Sequence, residues 1–100
     1  MAGYLESKVV FVIGDGSADH RGVCVALAEA GADIVVAGPG NETEVLLHSI
    51  SNEIWALGRR TAVAAYDTAS SAAFAEAVAK AAGELGRVDM VVKCEAVLKA

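Results

Sequence analysis

The sequence is poor in the features that usually announce a compartment or a partner. It has two cysteines, Cys24 and Cys94, and no C-x-x-C pair. Neither a disulfide framework nor a cysteine-based zinc site is expected, and both thiols are read as reduced. Lysine and arginine together number 8 against 13 acidic residues, and they are scattered rather than gathered into a patch. With a formal charge of −5, nucleic acid is not an expected partner. Charged residues and glycines interrupt every apolar run short of the ~18 residues that a membrane span needs. The opening MAGYLESK has neither the basic n-region nor the apolar h-region of a signal peptide. The expectation is a cytoplasmic chain with no membrane partner. A single proline and the lack of any low-complexity segment leave no sign of a linker.

What is plentiful is small and apolar. Hydrophobic residues make up 55% of the chain, much of it alanine and valine, which suits helices packed tightly on a sheet. One hundred residues are read as one domain with a modest core, residues 1–100.

The order of elements follows from apolar spacing and glycine punctuation. Lys8 to Ile13 is a short apolar run ending in Gly14-Asp15-Gly16, the pattern of a buried parallel strand. Arg21 to Ala30 has helical spacing, with Val23, Leu27 and Ala30 on one face and Gly31 as its stop. Ile34 to Ala37 is a second strand, followed by a Gly38-Pro39-Gly40-Asn41 turn with Asn41 placed to cap the next helix. That helix runs from Glu42 to Leu57, with Leu46, Ile50, Ile54 and Leu57 as its inward face. Thr61 to Tyr66 is a third strand, and Asp67 to Ser71 a polar turn. A third helix then buries Phe74, Val78, Ala81 and Leu85 and stops at Gly86, and Val88 to Val92 is a fourth strand. The β-α-β-α-β-α-β order predicts a doubly wound parallel α/β sheet of Rossmann type, strand order 3-2-1-4.

Four segments carry a family resemblance: L-E-S-K-V-V-F-V-I-G, A-L-A-E-A-G-A-D-I-V-V-A-G, A-L-G-R-R-T-A-V-A-A-Y-D and E-L-G-R-V-D-M-V-V. In sequence and spacing, Leu5 to Val97 resembles the N-terminal half of a short-chain dehydrogenase/reductase. The resemblance implies an NAD(P)-binding half of an oxidoreductase, with NAD or NADP as cofactor. It also implies candidate cofactor-binding residues Gly14, Gly16, Ser17 and Asp67, the last aligning with the family's adenine-contacting Asp. The family's catalytic Ser, Tyr and Lys fall after strand 4, and Tyr66 and Lys93 do not occupy their places. No catalytic residue is therefore assigned, and the chain alone is expected to be non-catalytic.

The cofactor motifs depart from the family pattern. Against T-G-x-x-x-G-x-G the chain reads Ile13-Gly14-Asp15-Gly16-Ser17-Ala18-Asp19-His20, so Ala18 and His20 replace two glycines. A histidine where helix and strand must pack closely is expected to push the helix away or to swing outward. Asp15 and Asp19 add negative charge where a pyrophosphate would meet the helix N-terminus. Gly38 and Pro39 stand where the family offers an Asp or an Arg after strand 2. Lys93-Cys94-Glu95-Ala96 stands for N-N-A-G. These changes predict weak or lost cofactor binding.

Ordinary readings compete with these functional ones. The Gly14-x-Gly16 pair is equally a tight turn that needs glycine for its backbone. Asp15, Asp19, His20, Asp67, Cys94 and Glu95 gather at strand ends, but their spacing matches no ligand motif, and no metal residue is assigned. Cys24 is expected to be buried and inert, and Glu95 to raise the Cys94 pKa. Trp55 is expected on an outward stripe with Leu47 and Ser51, either as a contact surface or lying on its own domain.

Three functional readings remain open. They are a dinucleotide-binding fragment of an oxidoreductase, a degenerate interaction module, and a truncated product without function. Three helices on a four-strand sheet would leave strand 4 as an apolar edge and one face half covered, exposing some of Ile34, Val36, Val63 and Ala65. A homodimer, or a partner chain completing the sheet, is the corresponding expectation.

Overall fold

The computed structural model describes residues 4–40 and 43–94. The elements are β1 (Val9–Ile13), α1 (Ala18–Glu29), β2 (Asp33–Pro39), α2 (Glu44–Ala56), β3 (Thr61–Tyr66), α3 (Ser71–Leu85) and β4 (Met90–Lys93). The strands form one parallel sheet in the order β3-β2-β1-β4, the Rossmann-like arrangement that the sequence predicts.

Strand β1 is buried along its whole length, as a central parallel strand covered on both faces must be. Its residues divide by alternation. Val10 and Val12 join Ile34, Val36, Cys24, Leu47, Ile50 and Ile54 on the face covered by α1 and α2. Val9, Phe11 and Ile13 join Val35, Ala37, Ala81 and Leu85 on the face covered by α3. There the Phe11 ring meets Phe74 edge-on, centroids 5.8 Å apart, and lies 6.2 Å from Tyr66.

Several boundaries and faces differ from the sequence reading. Helix α1 starts at Ala18, because Ser17 caps it, and its buried residues are His20, Cys24 and Ala28. Val23 and Leu27 flank that face. Strand β2 continues through Gly38 and Pro39, which pair with Ala65 and Tyr66, so these two residues are strand and not turn. The proposed cap Asn41, and Glu42, lie outside the described residues. Helix α2 is rotated by one position, burying Leu47, Ile50, Ser51 and Ile54, while Leu46 and Leu57 are 48% and 44% exposed. A serine disguised this face: the buried Ser51 hydroxyl is satisfied by a 2.9 Å hydrogen bond with Thr61 Oγ1. Trp55 is 70% exposed, but Leu47 and Ser51 do not share its stripe.

The residues expected to be uncovered are also corrected. Ile34 and Val36 are fully buried beneath α1 and α2, and Val63 and Ala65 pack at the margin of the same cluster. Register decides this, since Ile34 and Val36 pair with Val10 and Val12 on the two-helix face. The exposed apolar residues of the sheet lie on β4, where Met90 is 38% and Val91 46% exposed. Among the described residues no helix is long and apolar enough to cross a membrane.

The observed phase of α2 makes a direct prediction. Leu47→Ala should cost about 3 kcal/mol, the usual loss for a buried leucine, and Leu57→Ala less than about 1 kcal/mol. Urea unfolding of the two variants checks it, and equal losses would contradict the observed face.

Candidate functional site

The carboxyl end of β1 runs into a four-residue loop, Gly14 to Ser17, before α1 begins. The Gly14 N–H donates to Ala37 O at 2.9 Å, which holds the loop against the end of β2. Asp15 Oδ1 accepts the Ser17 N–H at 3.0 Å, closing a tight turn. Gly16 has φ +81 and lies against the Leu46 side chain, so both its conformation and its surroundings require glycine. The Ser17 hydroxyl caps α1 by accepting the His20 N–H at 3.4 Å. Three of the four candidate cofactor residues, Gly14, Gly16 and Ser17, are thus brought together at one strand end.

His20 decides what this loop offers to a ligand. Its ring does not swing outward, one of the two outcomes the sequence suggests. It turns inward and is fully buried. The ring takes the space left by the missing side chain of Gly14, where a Cβ would overlap its Cγ. Nδ1 accepts the Gly16 N–H at 3.1 Å, and Nε2 lies 3.1 Å from Val12 O. Since Nδ1 accepts, Nε2 carries the proton and donates to Val12, and the ring is neutral. Burial pushes its pKa below the ordinary imidazole value, against the opposing pull of the Val12 carbonyl and the Asp15 charge. Reading His20 alone missed its role. The signal was the pair: a histidine four residues after Gly16, in the first turn of the helix, facing a glycine.

The charge around the loop is negative. Hydrogen bonds from Ser17 hold Asp15 below the usual carboxylate value, so it is ionised at neutral pH. Asp19 is exposed in the first turn of α1, and Arg21, the nearest cation in sequence, pairs with Glu53 of α2 at 3.6 Å. Cys94 is buried, its N–H donating to Ile13 O at 2.8 Å. Burial raises its thiol pKa, and Asp15 and Asp19 raise it further. The direction matches expectation, but Glu95, the cause proposed for it, lies outside the described residues. Burial pushes Cys24 up to about 12. Neither thiol is activated. Among the described residues, no three or more His, Cys, Asp or Glu side chains gather to hold a metal ion.

The fourth candidate, Asp67, stands apart at the end of β3. It is exposed, and its Oδ1 accepts the Ala69 N–H at 3.0 Å. With Pro39, Gly40, Ala65, Tyr66 and Thr68 it lines an open cleft of about 480 Å³. Gly38, one residue before this lining, has its Cα against the Gly14 carbonyl and the Leu47 side chain, too close for a Cβ. Asp67 and the cleft are therefore accessible, while the Gly16 N–H is already bonded within the protein.

The sequence matches the short chain dehydrogenase family over residues 8–99. It is 33% identical over 88 residues to an uncharacterized oxidoreductase of Mycobacterium tuberculosis, covering 88% of this chain and 32% of that protein. It is 30% identical over 95 residues to the 2-dehydro-3-deoxy-D-gluconate 5-dehydrogenase of Dickeya dadantii, covering 95% and 36%. The chain thus spans about a third of the length of the curated relatives it matches. Among solved structures, carveol dehydrogenase from Mycobacterium avium in complex with NAD superimposes with a TM-score of 0.81 at 27% identity, covering 90% of this chain and 36% of that one.

Two predictions follow from the packing of His20 on Gly14. Gly14→Ala should cost about 2 kcal/mol in the native background, as overpacking does. It should cost less than about 1 kcal/mol when combined with His20→Ala, a coupling that a double-mutant cycle by thermal unfolding measures. Stability should also fall in acid. The folded state holds His20 neutral below its ordinary pKa, so below about pH 6.5 the unfolded chain binds the extra proton more readily. Its contribution is fully present above that pH and is lost as pH falls toward the lower folded value. A His20→Asn variant should show a smaller loss between neutral pH and mild acid.

Proposed function

The chain belongs to the short chain dehydrogenase family, and we propose that it is the NAD(P)-binding half of an oxidoreductase, non-catalytic by itself, with a phosphate cradle closed by its own histidine. The observation that carries this reading is the position of the Gly14–Ser17 loop. It stands at the carboxyl end of the central strand of a parallel sheet, where open α/β folds take their ligands. Residues 1–100 are read as one Rossmann-like domain, cytoplasmic in location.

The two ends of such a site fit a dinucleotide differently. On the adenosine side, the open cleft beside Asp67 has room and a free carboxylate oxygen for a polar donor. On the phosphate side the residues do not fit as they stand. The Gly16 N–H is bonded to His20, and the ionised Asp15 repels an anion. Gly14, Gly16 and Ser17 would face the phosphates only after His20 gives way. The end of β2, Gly38 and Pro39, supplies neither a carboxylate for a ribose hydroxyl nor a guanidinium for a ribose phosphate, so nothing there distinguishes NAD from NADP. Bound cofactor would supply the hydride for redox chemistry, and the described residues hold no group placed to deliver the accompanying proton. Tyr66 packs its ring against Phe11 and Phe74, and burial raises its pKa.

A second reading is favoured by a separate observation. The outer edge of β4 has no strand beside it among the described residues, and Val91 next to it is 46% exposed. An interaction module, completed by a second copy or by a partner chain pairing with this edge, would cover it.

Calorimetric titration with NAD(H) and NADP(H) tests the first reading. Weak binding is expected, in the millimolar range. Ala18→Gly and His20→Gly combined with Asp15→Asn and Asp19→Asn should tighten it by about tenfold or more, the effect of about 1.4 kcal/mol. Low-micromolar binding by the native chain would refute the closed cradle. Light scattering at about 100 μM, above the dissociation constant of a modest interface, tests the second, for which a clean monomer is the adverse result.

A further inference from the structure

We propose that His20 is a pH-operated latch on the β1–α1 loop: neutral, its Nδ1 keeps the Gly16 N–H inside the protein, and protonated, it releases that N–H to an anion arriving at the end of β1. The geometry is asymmetric in a way that makes the opening local. Nε2 donates to Val12 O, and an imidazolium keeps that donor. Nδ1 is an acceptor only in the neutral ring. Protonation there sets two N–H groups facing each other across the former 3.1 Å contact, so the Gly16 side must part while the Val12 side holds. The part that must move is the loop rather than the strand, and it is bracketed by two glycines, Gly14 and Gly16, with the freedom to do so.

The surrounding groups set the direction of the response. From its own loop, Asp15 is the charge that draws a proton onto the ring, while burial opposes it. On α1, Asp19 and Arg21 flank His20 in sequence, Arg21 being paired with Glu53 of α2, and Cys24 follows one turn later as a neutral thiol. Cys94, at the end of β4, is neutral too, its pKa raised by burial. Strands β1 and β2 offer backbone to the loop, the Val12 and Ala37 carbonyls, and α2 presents Leu46 to Gly16. One proton therefore does two things. It frees the Gly16 N–H, and it places a positive charge beside Asp15, offsetting the repulsion that an incoming anion meets. Both effects raise anion affinity as pH falls.

The latch itself stands on hydrogen bonding alone; only its consequence for a dinucleotide rests on the reading of the loop as a phosphate cradle. In ¹⁵N-labelled protein, the His20 ring nitrogens and the Gly16 amide can be followed from about pH 8 to about pH 5. The expected result is the Nε2–H tautomer at the upper end. Below about pH 6.5, Gly16 protection from hydrogen exchange should fall by up to about tenfold per pH unit, the slope of one-proton linkage. The amides of Phe11 and Val35 should stay protected. In His20→Asn, whose Oδ1 can accept from Gly16 without titrating, the dependence should vanish. Sulfate, whose charge is constant over this range, should perturb Gly16 at about pH 5.5 and not at about pH 7.5. An Nδ1–H tautomer at neutral pH, Gly16 protection unchanged through the whole range, core amides opening together with Gly16, or sulfate acting equally at both pH values would each overturn the latch. If the variant does not fold, the contrast between Gly16 and the core amides of the native chain still decides. A working latch with no NAD binding at either pH would leave this proposal standing and sink the cofactor reading.

Discussion

At the junction of β1 and α1, the Val12 carbonyl and the Gly16 N–H are both bonded to the same imidazole. Much else at this end of the molecule follows from that arrangement. Gly14 must lack a side chain because the ring takes its place, and α1 can start at Ala18 because the ring turns under the helix rather than against it. The buried polar atoms of the ring are satisfied, as burial in a small core requires. The ring also joins strand, loop and first helical turn into one unit, so a change in its protonation is felt by the loop before it is felt by the sheet.

The opposite end of the sheet is built differently. Arg60 bonds Asp33 Oδ2 at 3.1 Å and the Leu85 carbonyl at 3.0 Å, tying the starts of β2 and β3 to the end of α3. Arg59 reaches the Gly31 carbonyl at 2.8 Å, and Asp89 accepts the Val9 N–H at 2.8 Å. These contacts fasten helix exits to strand entries. The exposed ion pairs among them add little energy individually, but the Leu85 carbonyl that Arg60 bonds is one of the last of α3 and has no partner within the helix. One end of the sheet is thus fixed by arginines against backbone and carboxylate, and the other by a single imidazole that burial keeps neutral.

The elements were legible in the sequence where one physical signal dominated. Strand β3 was bounded by the polar turn from Asp67 after it, and its predicted span Thr61–Tyr66 is the observed one. Gly31 and Gly86 ended helices in the left-handed conformation they were read for. Legibility failed where two residues share one role. In α2 the inward face includes Ser51, polar in sequence but completed by Thr61 from another element, so an apolar periodicity drawn without it lands on Leu46 instead of Leu47. At the loop, His20 was judged by its size against a missing glycine, whereas the structure sets it against a glycine that is present. Gly14 and Gly16 could be read as a turn or as a cradle, and only the ring shows that in the neutral protein they form a turn.

The loop also shows why a scaffold can outlast the motif it carries. The apolar positions of β1 and β2 are fixed by burial on two faces, and each loss there costs several kcal/mol. The backbone donor of Gly16 is different, because it needs some partner but not a particular one. An imidazole nitrogen can stand in for a phosphate oxygen as its acceptor, contributing on the order of 1 kcal/mol net, as one neutral hydrogen bond does. The same bond must be broken before an anion can use the donor. Whatever His20 adds to folding through Gly16 is therefore subtracted from anion affinity, about fivefold for each 1 kcal/mol at room temperature. That is a modest factor, and it alone would not abolish binding. The ionised Asp15 acts in the same direction, its charge repelling an anion that approaches the start of α1. The closed state of the site therefore has two parts, the internal bond from Gly16 to His20 and the Asp15 charge, and the histidine is the part that a proton can reverse.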